Sequence, residues 1–253
     1  MFNMRQSCLA LAATLVVSPA FAEDPVINRV VIWKAKPSME AKLEAGLKVH
    51  NAFHAKKNDP MGHNTYVVTS GPNTGDYVRV AGGRNWKDFD AEASWQKEDQ
   101  ADSAINTTPY VASAVPSYYR LRTDLSRMPP GNAPAALYSL VFLRLKIGKL
   151  DDFEQAQKLS KEAADKAKWP RYWSVFTLLN GGDGPTWVIS QPRDKYADFN
   201  PPEGKLFADM LEEQLGKDAA RLRQELSDSS VESVFTEMLE YRADLSYVPA
   251  AAK

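Results

Sequence analysis

The chain has 253 residues, 44% of them apolar and 25% charged, with 31 basic against 32 acidic side chains. That balance excludes the basic face that nucleic-acid binding requires. The length suffices for one large core or two of ordinary size, and no later stretch is apolar enough to cross a membrane.

Residues 1–22 read as a signal peptide. Arg5 gives a short positive region, and Cys8 to Val17 form an apolar run too short to span a bilayer. Pro19 ends that run before Ala20-Phe21-Ala22, the small-x-small pattern of a cleavage site. Cleavage after Ala22 sends the mature chain to the periplasm or outside the cell. It also removes Cys8, the one cysteine, and with it any disulfide, thiolate nucleophile or cysteine-bound metal. A retained membrane anchor is the competing reading, and the short run weighs against it.

The predicted elements follow in order. Val30 to Lys36 is a β-rich run of strand length. Ser38 is placed to cap a helix whose stripe is Met39, Leu43, Leu47, His50 and His54. Thr65 to Thr69 and Tyr77 to Ala81 flank the turn residues Gly71-Pro72-Asn73-Thr74-Gly75-Asp76, which predicts a hairpin. A weakly patterned helix around 91–104 precedes a strand through Tyr118 to Arg122. The run Ser126 to Pro134 is a linker by its Pro and Gly content. Leu140 to Lys146 is again a strand, and Leu150, Phe153, Gln157, Ser160, Ala164 and Ala167 a helical stripe. A second hairpin turns at Gly181 to Pro185. Phe207, Leu211, Leu215, Leu222 and Leu226 mark a long helical stretch interrupted near Gly216, and Phe235 to Tyr241 is the last strand. Residues after Pro249 are expected to fray.

These elements repeat. At an offset of 110, Val31 to Lys36 lies over Val141 to Lys146, Thr65 to Gly71 over Val175 to Gly181, and Trp86-Lys87-Asp88-Phe89 over Tyr196-Ala197-Asp198-Phe199. Near the end of each copy the offset becomes 120, with Arg122 to Ser126 over Arg242 to Ser246. The expected organisation is a leader (1–22), a first ferredoxin-like module (23–126), a linker (127–134) and a second module (135–249). The predicted fold class is α+β: two tandem βαββαβ modules whose antiparallel sheets pack face to face as an α+β barrel.

The strand from Val31 to Lys36 leading into the helix after Ser38, with the segments Trp86 to Phe89 and Tyr196 to Phe199, resembles the dimeric α+β barrel superfamily. That superfamily includes antibiotic-biosynthesis monooxygenase-like and NIPSNAP-like domains. The resemblance spans nearly the whole mature chain as a pattern. It implies a barrel, but no single activity, because members include cofactor-free oxygenases, haem-dependent enzymes, isomerases and proteins without known chemistry.

The three histidines, His50, His54 and His63, all fall in the first half. His50 and His54 are four apart on one helix and point the same way. Opposite them in the repeat stand Ser160 and Ala164, and Trp173 stands opposite His63. Imidazoles at this spacing can act as a general base or share a metal. Two histidines near a helix C-terminus are equally consistent with a structural role. His50 and His54 are the candidate catalytic residues, and Trp33, Lys34, His63, Tyr66 and Trp86 the candidate ligand-binding residues. No metal ligand is assigned, and the cofactor is unknown. Lys34 with Lys36, and Arg144 with Lys146, can bind an anion between the sheets or reach solvent from the strand ends. Asp88 and Asp198 read as cap or turn residues. No nucleophile-elbow, P-loop, dinucleotide or zinc-protease motif is present.

The leading expectation is an exported protein that binds a small molecule between helix 39–57 and its sheet. The alternatives are a cofactor-independent monooxygenase-like enzyme and a structural or interaction protein. The partner expected is a small molecule, with no nucleic acid and no stable membrane insertion. The chain is expected to be a monomer with an internal pseudo-dimer, or a homodimer.

Overall fold

The structure, a computed structural model, describes residues 25–90, 94–131 and 133–249. The expected signal peptide and the last four residues lie outside them. Eight strands form one closed antiparallel barrel. In chain order the elements are β1 (Ile27–Ala35), α1 (Glu40–Lys56), β2 (Asn64–Ser70), β3 (Tyr77–Arg84), α2 (Trp86–Asp90), α3 (Gln96–Asn106) and β4 (Val111–Leu121). The second half adds β5 (Leu137–Leu145), α4 (Leu150–Lys166), β6 (Ser174–Asn180), β7 (Thr186–Arg193), α5 (Phe207–Leu215), α6 (Lys217–Ser230) and β8 (Val231–Tyr241). No helix among the described residues is long and apolar enough to cross a membrane.

The strand order is β1-β3-β2-β8-β5-β7-β6-β4, closing by the β1–β4 pairing. The barrel is sealed by edge pairing between its halves: β8 pairs with β5 and β2, and β4 with β1 and β6. The halves were expected to meet through their sheet faces, as an α+β barrel. They also meet edge to edge, because pairing leaves fewer strand edges open to other chains.

Alternation along each strand divides the side chains between two environments. On β1, Asn28, Val30 and Ile32 line a cavity inside the barrel, to which all eight strands contribute. Arg29, Val31 and Trp33 point the other way. The helices cover that outer face. Leu43 and Leu47 of α1 pack with Tyr77 and Leu245, and Phe153, Ala163 and Ala164 of α4 pack with Trp169, Trp173 and Trp187. Leu43, Leu47, His50 and His54 of the first predicted stripe, and Phe153, Gln157, Ser160 and Ala164 of the second, are buried, whereas Leu150 is exposed.

Two local expectations differ in detail. Ser38 does not cap α1: it has φ 62°, and the helix begins after Met39 with no side-chain cap. The tight turn there is closed instead by Met39 N–H donating to Lys36 O at 2.9 Å. Ser126 and Arg127, expected in a linker, are anchored. Arg127 exchanges backbone hydrogen bonds with Trp173, and its guanidinium donates to Asp165 and to the carbonyls of Trp169 and Arg171. The long C-terminal helical stretch breaks where expected, into two helices parted at Gly216 with φ 79°.

Candidate functional site: a histidine–carboxylate cluster and an arginine-lined cleft

The two histidines of α1 lie between the helices and the outer face of the sheet. Each is about 6% exposed. Both ring orientations are fixed by carboxylates: His50 Nδ1 lies 2.8 Å from Asp102 of α3, and His54 Nδ1 lies 2.8 Å from Asp59, just beyond the end of α1. Asp59 is oriented in turn by the Met61 N–H, and Asp102 by the Asn106 side-chain amide. The two Nε2 atoms face each other at 3.1 Å. Asp99, one turn before Asp102, brings its Oδ1 to 3.6 Å from His50 Nε2 and 3.4 Å from His54 Nε2. That oxygen is buried and has no hydrogen-bond partner among the described residues.

The walls are aromatic and cationic. Trp95 meets the His54 ring edge to face, and Tyr247 stacks on it. The His63 ring centroid is 5.5 Å from that of His54, and its Nδ1 is buried without a partner. Burial, then the charge of Arg79, holds His63 well below the ordinary imidazole pKa. Burial likewise lowers His50, against the raising effect of Asp102. Arg79 is itself buried, lies over the Trp33 ring and donates to Asn51 Oδ1. Desolvation lowers its pKa to about 10. With both Nδ1 atoms engaged and both Nε2 atoms turned inward, the cluster offers its lone pairs to something small. It offers little to a bulky substrate that would need a general base within hydrogen-bond reach.

The other candidate residues are dispersed. Trp33 packs on Arg79 and the α1 core, beside the cluster. Lys34 follows Ile32 on the interior face of β1, but near the end of the strand, and is exposed. Tyr66 faces the barrel interior with Tyr138 and Tyr241. Trp86 is 42% exposed and packs on Phe89 and Tyr118. Asp88 and Asp198 accept hydrogen bonds from backbone N–H groups of the turns before them.

In the second half, a cleft of about 390 Å³ opens beside Ser160 and Trp173, which stand 110 residues after His50 and His63. The small Ser160 leaves space there that the His50 imidazole fills in the first half. Trp169, Trp173, Phe199 and Phe207 give it aromatic walls, and Arg171, Arg193 and Arg223 give it charge. Arg193 Nε is buried without a partner, and the rest of that guanidinium donates to Pro192 O and Gln191 Oε1. Arg223 donates to Ser160 Oγ at 2.8 Å and to Gln224. Neither has a carboxylate within ion-pair distance among the described residues, whereas Arg171 lies 3.8 Å from Asp198. Burial lowers the pKa of both Arg193 and Arg223. Sequence reasoning missed this cleft, Asp59, Asp99, Asp102 and Arg79. The available signals were Asp99 and Asp102 three apart on one helix, and small residues opposite the histidines.

No protein-family model matches the sequence, and no curated protein matches it. Solved structures do. A candidate monooxygenase from Lactobacillus acidophilus aligns over 89% of this chain and 97% of its own, with TM-score 0.54 and 9% identity. An anthrone oxidase-like protein aligns over 87% and 92%, with TM-score 0.51 and 12% identity. A mutant chlorite dismutase from Candidatus Nitrospira defluvii aligns over 88% and 94%, with TM-score 0.53 and 10% identity. At these identities the likeness concerns architecture. The chain has the ferredoxin-like α+β fold that these proteins share.

Proposed function

We propose that this chain is a small-molecule-binding protein whose ligand is a compact aromatic carboxylate, held in the cleft between α4, α6 and β7. The observation that carries this reading is the pair Arg193 and Arg223, two guanidinium groups without carboxylate partners in an aromatic cleft. A planar guanidinium binds a carboxylate through two parallel hydrogen bonds. The volume falls within the range of small-molecule sites. This reading moves the ligand from the first half, where it was expected, to the second, because His50 and His54 occupy the corresponding space in the first.

The test is a fluorescence titration with benzoate, since Trp169 and Trp173 line the cleft. Wild type is expected to show saturable quenching that weakens at least about tenfold in Arg193→Gln, the order of a lost charge-assisted bond, and is unchanged in His50→Ala. Absence of saturation, or equal affinity in Arg193→Gln, would refute the reading.

We further propose that the chain is two copies of one module, exported, and monomeric. What supports duplication is local geometry at the 110-residue offset. Positive φ recurs at Ser38 and Gly148, at Asn58 and Lys168, and at Gly71 and Gly181. The isolated bridge of His63 with Tyr247 is repeated by Trp173 with Arg127. A barrel closed by one chain is what a monomer needs, and light scattering of the purified protein tests it. Export rests on the leader pattern alone. N-terminal sequencing after expression in a bacterium should read from Glu23, and a retained Met1 would contradict it.

A further inference from the structure

We propose that His50 Nε2, His54 Nε2 and Asp99 Oδ1 together hold one divalent transition-metal ion of the zinc or ferrous class, a site separate from the ligand cleft.

The first reason is orientation. A carboxylate is an acceptor, so Asp102 and Asp59 fix the protons of their imidazoles on Nδ1. The lone pairs are then on the two Nε2 atoms that face each other. Histidines that ligate metals are held in this way, with the second ring nitrogen donating to a carboxylate.

The second reason is distance. Separations of 3.1, 3.4 and 3.6 Å among the three atoms leave a point about 2.0 Å from each, the length of Zn–N and Zn–O bonds. An ion there lies close to the plane of the three atoms. Its further coordination positions are free of His, Cys, Asp or Glu ligands among the described residues. Two imidazoles and one carboxylate with open positions suit zinc or ferrous iron.

The third reason is charge. Three lone-pair atoms converge on a buried spot where Asp99 Oδ1 has no donor. Asp59, Asp99 and Asp102 carry three negative charges. The facing cation is Arg79, which is engaged with Asn51 and Trp33. Arg29 acts electrostatically on Arg79 and His63, and Lys57 is paired with Glu98. Three carboxylates stand against one engaged cation, and a divalent ion supplies the balance. Buried charge without compensation is costly.

The experiment is a Zn²⁺ titration of the untagged full chain by calorimetry, with the unfolding midpoint measured before and after loading. Wild type is expected to bind one Zn²⁺ per chain with a Kd below about 1 μM and to gain stability on loading. Asp99→Asn keeps shape and removes the anionic ligand. It is expected to weaken Zn²⁺ at least tenfold while the metal-free midpoint stays equal or rises, since removing a carboxylate relieves repulsion. His50→Gln with His54→Gln should abolish binding. Benzoate quenching should be unchanged by Asp99→Asn, so failure of the cleft reading and failure of this one are distinguishable. Wild type that does not bind Zn²⁺ stoichiometrically, or Asp99→Asn that binds it as tightly as wild type, overturns the proposal.

Discussion

Gly46 is a sensitive position for the histidine cluster, although it carries no side chain. It lies on α1, where α3 crosses closest. A methyl group added there would sit 1.6 Å from the carbonyl oxygen of Asn106 and 2.7 Å from its carbonyl carbon. Both are backbone atoms, so no side chain can swing away. The C-terminal end of α3 must retreat by more than about 1 Å to restore ordinary contact. That retreat carries Asp102 away from His50, from which it now stands 2.8 Å. Overpacking of this kind costs about 1–3 kcal/mol, and loss of a hydrogen bond to a charged group about 1.5–3 kcal/mol. Alanine's better helix propensity returns about 1 kcal/mol. Gly46→Ala should therefore destabilise by about 2–4 kcal/mol, a fall of several degrees in Tm for a chain of this size. Urea unfolding gives the magnitude. Hydrogen exchange then shows whether the amides of Gln96 to Asn106 open first. A Tm equal to or above wild type, with α3 amides protected as before, would refute the reasoning and mean that propensity outweighs the clash.

Four further perturbations probe the frame and the sites. Arg242 binds Glu44 through two hydrogen bonds of 2.9 and 2.8 Å, and Arg122 lies 2.9 Å from Glu154, so each terminal strand is tied to the other half's helix. Arg242 holds Glu44 and Asp244, and Arg122 holds Asp124, below the ordinary carboxylate range, while Lys158 and then Arg122 lower Glu154 against its burial. Depressed folded-state values stabilise at pH above the unfolded-state pKa of about 4 and are lost as pH falls through the folded ones. Replacing Arg122 and Arg242 by Met should cost about 1–2 kcal/mol at pH 7 and distinctly less at pH 2, where Asp244, held far below the ordinary range, still keeps part of its pairing, as denaturant curves at both pH values will show. An equal difference at both would assign the effect to packing. Gly181→Ala should destabilise by about 2 kcal/mol or more, because its φ is 90° and a methyl would meet Pro116 O at 2.3 Å across the seam between the halves. Gly184→Ala, with nothing within 4 Å of the added methyl, should leave the denaturation midpoint nearly unchanged. Asn51→Leu should unfold several degrees earlier, since its amide bridges Leu245 O and the buried Arg79 guanidinium.

Much of the frame is written in local periodicity. Leu43, Leu47, His50 and His54 fall on one face because helical spacing puts them there, and the hairpins announce themselves through Gly71 and Gly181. The partners of the histidines were hidden for a physical reason. The helix α3 reads Gln-Lys-Glu-Asp-Gln-Ala-Asp and buries no residue fully, so it carries no apolar stripe to reveal which face meets α1. Asp59 lies five residues past His54, where the chain turns at Asn58 with φ 51°. Arg79 hid in a strand whose alternation predicts an apolar inward face. Trp86 and Lys34 were drawn into the candidate site by residue type alone. Lys34 is exposed because it stands near the end of β1, and Trp86 because it lies on the short helix α2, which no pattern places. The cleft depends on what the second half lacks, and an absence of bulk at Ser160 and Ala164 is legible only against His50 and His54.

The most direct test of the binding function is a crystal structure of the full chain soaked with benzoate. The account predicts density for the ring against Trp173 and Phe207, with the carboxylate on Arg193 or Arg223. An empty cleft with benzoate inside the barrel beside Tyr66 and Tyr138, or no bound benzoate at saturating concentration, would contradict it.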